Sequence, residues 1–209
     1  CAQGLLHFQP GAGEVGIDDR GMWTSYHDGT FSRSLEVAGW LVIPVGGSFV
    51  DRRLLTWRAT FRPEVRRTEY TGAPALLRGS ALAWSGNVQL FGGHPVNLLI
   101  DGGRGRTVIE GGFGIRSEAS TASLGAGLTL QNRWFPMLLS WREQSTTNDW
   151  RSDLSGSAIR TAFDTRTLRL TASSSKTSLL VERTIQDDRA GPVDFRGLTV
   201  LLNNTARWG

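Results

Sequence analysis

The run Leu54-Leu55-Thr56-Trp57-Arg58-Ala59-Thr60-Phe61-Arg62 alternates apolar and polar side chains residue by residue. Leu55, Trp57, Ala59 and Phe61 share one parity, and Thr56, Arg58, Thr60 and Arg62 share the other. In an extended chain successive side chains point to opposite faces, so this stretch is a strand with one greasy and one polar face. A helix would need apolar residues at i, i+3, i+4 and i+7, which the run does not supply. Ser80–Phe91 repeats the pattern, with Leu82, Trp84, Gly86, Val88 and Leu90 opposed to Ala83, Ser85, Asn87 and Gln89. Thr121–Gln131 does so again through Leu124, Ala126, Leu128 and Leu130. The period of two predicts an all-β fold.

The segments pair into hairpins. Ser80–Phe91 and Pro95–Gly103 flank Gly92-Gly93-His94; Thr121–Gln131 and Trp134–Glu143 flank Asn132-Arg133. Thr165–Ala172 and Lys176–Ile185 make a third, and Leu35–Ile43 with Arg53–Arg62, joined through Gly46-Gly47, an earlier one. Longer polar connections are expected over residues 63–79, 104–120, 144–164 and 186–192, so short turns and long loops alternate. That predicts an antiparallel up-and-down meander with all short turns at one end, the asymmetry of transmembrane β-barrels. Thr107–Ile115 also alternates and is the candidate for a separate strand. Residues 1–33 are Gly-rich and poorly periodic and are expected to form an irregular lead-in to the strands of residues 34–209. Nine strands are placed this way, and barrels of bacterial single chains have even numbers, so the C-terminus is expected to be incomplete.

Composition narrows the class. The 209 residues include 26 glycines and 23 basic residues, of which only Lys176 is lysine. The arginines are scattered or in short pairs, without the basic stripe a nucleic-acid binder needs. Cys1 is the only cysteine, so an intrachain disulfide is impossible; it is either a fragment edge or a lipidated N-terminus. A soluble β-sandwich also has one apolar face per strand. Strands of about 9–12 residues and uncharged apolar faces favour a membrane barrel, where arginine at the midplane costs about 2–4 kcal/mol. Trp57, Phe61, Trp84, Trp134, Phe135 and Trp141 are candidates for interfacial aromatics.

The hairpins Ala81–Leu99 and Ala122–Trp141, with the entry Gly46-Gly47-Ser48-Phe49-Val50-Asp51-Arg52-Arg53-Leu54-Leu55, make the chain resemble outer-membrane barrel proteins of Gram-negative bacteria. The resemblance is one of pattern over residues 35–202, and it implies a porin-like or scaffold barrel with no site residues to carry over.

Motifs for chemistry are missing. There is no phosphate-binding loop, dinucleotide fingerprint or nucleophile elbow, and His7, His27 and His94 lack metal-ligand spacing. No catalytic, cofactor or metal residues are predicted. Asp101, Glu110 and Glu118, with Arg104, Arg106 and Arg116, would either line a constriction or form a solvated loop. The reading is therefore a non-enzymatic outer-membrane barrel in contact with lipid, passing small solutes or ions. Arg58, Arg62, Arg142 and Arg169 are expected to face the lumen and favour anions. The alternative is a soluble or lipid-anchored β-sandwich that binds a partner at the cell surface.

Overall fold

The computed structural model describes residues 6–25, 31–71, 76–153, 155–174, 176–191 and 194–204. Its strands are β1 (Leu6–Pro10), β2 (Glu14–Ser25), β3 (Phe31–Phe49), β4 (Leu55–Thr71), β5 (Leu76–Leu90), β6 (Val96–Glu110), β7 (Ile115–Leu130), β8 (Met137–Ser152), β9 (Ser157–Ser173), β10 (Thr177–Asp188) and β11 (Asp194–Asn204). One 3₁₀ turn, Gly112–Gly114, joins β6 to β7. The strands form one antiparallel meander in which each strand from β3 to β11 pairs with its neighbours in sequence. The all-β expectation and the up-and-down order hold.

The expected irregular lead-in is where the sequence reading departs first. β1 pairs with residues 45–49 of β3 and β2 with residues 31–42, so the two lie end to end in one lane. Between them Gly11 N donates to Pro44 O at 3.0 Å, and a Cβ on Gly11 would collide with the Pro44 ring. The extra residue in the break shifts the register by one and returns Val15 and Ile17 to the face of Leu6 and Phe8, as a bulge does. The described sheet thus has ten lanes, with β11 at one edge and the β1–β2 lane at the other. These edges are not hydrogen-bonded to each other among the described residues.

The expected long loops are strand. β3 is 19 residues long and β4 and β9 are 17 each, and no connection between successive strands exceeds six residues. Gly46-Gly47 lie inside β3, not in its turn, and residues 107–110 are the end of β6, not a separate strand. The alternation of short and long connections is therefore absent. Beyond the apolar stretches both parities become polar, so the hydropathy period disappears while the hydrogen-bonded ladder continues.

No second sheet packs on either face among the described residues, which leaves the sandwich alternative without its second layer. Among the described residues the buried apolar side chains are three alanines, Ala38, Ala162 and Ala172. The accessible surface is 15186 Å², against about 9,600 Å² for a compact monomer of 22.9 kDa.

Candidate functional site

Strand register assigns every side chain to one of two faces. A single hydrogen-bonded row across all ten lanes reads Leu6, Phe49, Leu55, Leu90, Leu98, Leu128, Leu139, Leu170, Val181 and Val200. Rows beside it add Trp57, Val88, Ile100, Trp141 and Leu168, again directly opposed. Large side chains on this face are open: Leu82 is 57% exposed, Leu124 49% and Leu198 70%.

The belt has an oblique upper edge. Counting away from that row along the same face, the first charged residue comes no sooner than sixteen positions on β3 and after twelve on β4 and β5 (Arg67, Arg78). It comes after six on β6 (Arg104) and ten on β7 (Glu118), but only four on β8, β9 and β11 (Glu143, Arg166, Arg196) and two on β10 (Arg183). A fall of about twelve residues over eight strand steps, at ~3.3 Å per residue and ~4.8 Å per step, is a slope of about 45°.

The opposite face is mainly polar over the same span, interrupted by Trp40, Val42, Leu99, Leu138, Leu180 and Leu201. Arg58, Arg62, Arg142 and Arg169 all lie on it, as the alternation predicted. They form two groups: Arg58 and Arg62 on β4, and Arg142 and Arg169 on the adjacent strands β8 and β9. Arg142 reaches Asp101 at 3.4 Å across an intervening strand, over Gly125, where a Cβ would stand 2.8 Å from Asp101 Oδ1. Arg169 faces Glu182 at 3.9 Å, and Arg62 lies 3.5 Å from Glu64. Arg58 has no ion-pair partner among the described residues; it borders a shallow groove lined by Gln9, Pro44, Gly46, Thr56 and Gln89. The Asp101–Arg142 bridge was not foreseen. Its signal is a glycine at the alternating position between two opposite charges on flanking strands.

The constriction cluster does not assemble. Asp101 shares the polar face with Arg142, whereas Arg104, Arg106, Glu110, Arg116 and Glu118 lie on the apolar face, beyond the belt. The reason is parity: these residues belong to β6 and β7, so even and odd positions separate. Arg106 Nε donates to Glu118 Oε1 at 2.8 Å, and this bond holds the Glu118 carboxyl below the ordinary carboxylate range. Of the aromatics, Trp57 lies near the start of β4, Trp134 and Phe135 lie in the turn before β8, and Trp141 lies in its first third. Phe61 and Trp84 oppose each other in mid-strand, and Trp57 sits 6.0 Å from Phe8. Trp134, in the 131–136 turn, is 78% exposed. His94 is a turn residue whose N–H donates to Phe91 O at 3.0 Å. Cys1 and His27 lie outside the described residues.

No protein-family model matches this sequence, and no curated protein does. Among solved structures the chain aligns with the translocator domain of autotransporter NalP from Neisseria meningitidis. The alignment covers 94% of this chain and 74% of that one, at 12% identity and a TM-score of 0.31.

Proposed function

We propose that this chain forms the wall of a β-barrel in a Gram-negative outer membrane, with its apolar face against lipid and its polar face lining the interior. The uncovered, oblique belt carries this reading. Ten lanes about 4.8 Å apart and a belt roughly 25 Å high present on the order of 1,000 Å² of apolar surface. The largest apolar patch on an ordinary monomer is about 300–600 Å². At about 25 cal/mol per Å², removing the belt from water is worth roughly 25 kcal/mol, more than the 5–15 kcal/mol net stability of most domains. Something apolar has to cover it. The 45° slope supports a bilayer as that cover: a level belt on strands tilted by 35–45° crosses the hydrogen-bonded rows obliquely. A bilayer also demands that every edge be paired, which a closed barrel satisfies.

The barrel has no catalytic chemistry of its own in this reading, and acts as a porin-like channel or a scaffold. Asp101, Glu182 and Glu64 offset Arg142, Arg169 and Arg62, so any anion preference rests chiefly on Arg58. Reversal potentials in a salt gradient should show a weak anion preference that Arg58→Gln abolishes; a cation preference in the unmutated channel would count against the assignment. The deciding experiment is gel mobility of the detergent-folded chain, boiled against unboiled. A heat-dependent shift is expected; no shift, with a monomer stable in plain buffer, overturns the membrane reading.

A further inference from the structure

Beyond the belt, on the same face of β4 to β8, six arginines stand against five carboxylates, Glu69, Glu110, Glu118, Glu143 and Asp149. One hydrogen-bonded row contains Arg67, Arg78, Glu110, Arg116 and Arg151, on five successive strands. In it Arg67 directly opposes Arg78, and Arg116 directly opposes Arg151. Like charges directly opposite across a ladder are destabilising, and this row contains two such pairs. Local carboxylates offset them only in part: Arg67 pairs with Glu69 at 2.5 Å, and Glu110 opposes Arg78 in register. Glu118 is engaged by Arg106 at 2.8 Å and touches Arg116 only at 3.8 Å, while Glu110 stays 3.7 Å from Arg116. Among the described residues Arg78 and Arg104 have no ion-pair partner, and Arg151 makes none at contact distance, acting on the Glu118 carboxylate only through space. All three lie on the face that carries the belt, and Arg78 and Arg104 are the first charges met beyond it.

The geometry points to an arginine patch that binds the phosphate groups of anionic lipids in the leaflet at this margin. The inference rests on the membrane reading above. Planar guanidinium groups match phosphate oxygens in pairs, and an anion between opposed arginines turns a repulsion into a bridge. The position fits a headgroup more closely than a soluble phosphate, because the patch borders the acyl-chain belt on the outward face. Basic residues near an anionic leaflet each contribute about 1 kcal/mol of attraction, which accumulates over a patch.

The test uses the full chain folded into vesicles of phosphatidylcholine alone or with phosphatidylglycerol added, and reads the urea midpoint of unfolding. The midpoint should rise with phosphatidylglycerol, and the triple variant Arg78→Gln, Arg104→Gln, Arg151→Gln should lose about half of that rise or more. Arg58→Gln, on the other face, should keep it. Inorganic phosphate added to phosphatidylcholine vesicles should not reproduce it. In the unmutated chain alone, high salt should diminish the rise by screening, which preserves the test if the triple variant does not fold. A rise that survives both the triple substitution and high salt, or that free phosphate reproduces, overturns the assignment to lipid. A chain that inserts but does not respond to phosphatidylglycerol overturns this inference alone. One that inserts in neither vesicle overturns the membrane reading with it.

Discussion

On β7, Leu124, Ala126, Leu128 and Leu130 occupy one half of a sheet face, and Arg116, Glu118 and Ser120 occupy the other half of the same face. Backbone, register and neighbouring strands are continuous between the halves. Only the side chains change, from uncharged and apolar to a lattice of ion pairs. The difference teaches that the ladder sets where a side chain points, whereas the surrounding medium sets which side chain belongs there. In the proposed barrel the two halves face two media, and the oblique course of the boundary across the strands supplies its angle.

The sharpest way to break this comparison is to move a charge across the boundary. Val88, flanked in register by Trp57 and Ile100, lies within the belt. Val88→Arg should destabilise the folded chain in vesicles by about 2–4 kcal/mol, while Thr147→Arg, in the charged half, should stay within about 0.5 kcal/mol. Equal costs for the two in urea titrations would dissolve the distinction.

The polar face gives the next largest effect. Gly125→Leu puts a side chain where Asp101 and Arg142 meet, and should cost about 1–3 kcal/mol by overpacking and by separating the pair. An unchanged unfolding midpoint would show that the bridge has room to reroute.

The turns differ between the two ends as well. At the belt end two non-glycine residues, Val50 (φ 63°) and Phe91 (φ 58°), hold left-handed conformations beside Gly93 (φ 113°), while only glycines, Gly114 (φ 68°) and Gly156 (φ 60°), do so at the charged end among the described residues. A β-branched residue is strained there. Val50→Gly should raise stability by about 1 kcal/mol, read by the same titration. A loss instead would mean that the apolar side chain at the belt end outweighs its strain.

Acid should act least and only on the charged half. Because the folded Glu118 carboxyl titrates below its unfolded value, its pairing with Arg106 contributes stability above the unfolded pKa. That contribution disappears as pH falls through the lowered folded pKa. Between neutral and acidic buffer the unmutated chain should therefore lose slightly more stability than Glu118→Gln, and parallel pH profiles would remove this pair from the comparison.

The same boundary explains what the amino-acid sequence discloses. Strands over 55–61, 82–90 and 124–130 are legible because one face is apolar and the other polar. Residues 63–71, 104–110 and 144–152 read as loops because both faces are polar there, although their backbone pairing is unbroken. β2 was hidden differently: after Val15 and Ile17 its face carries Asp19 and Gly21, too few apolar positions to declare a period. Parity alone placed Arg58, Arg62, Arg142 and Arg169 on one face. It needed the true strand limits before it could separate Asp101 from Glu110 and Glu118.

The meander has a consequence for assembly time. Nearly every ladder joins strands that are neighbours along the chain, so each hairpin closes a loop of at most six residues at small entropic cost and forms without waiting for the others. Among the described residues, the outer edges of the β1–β2 lane and β11 are the two that pair with no other strand. In the proposed barrel those two edges join across the whole sheet, the longest search of any pair, so sealing them would set the pace of maturation.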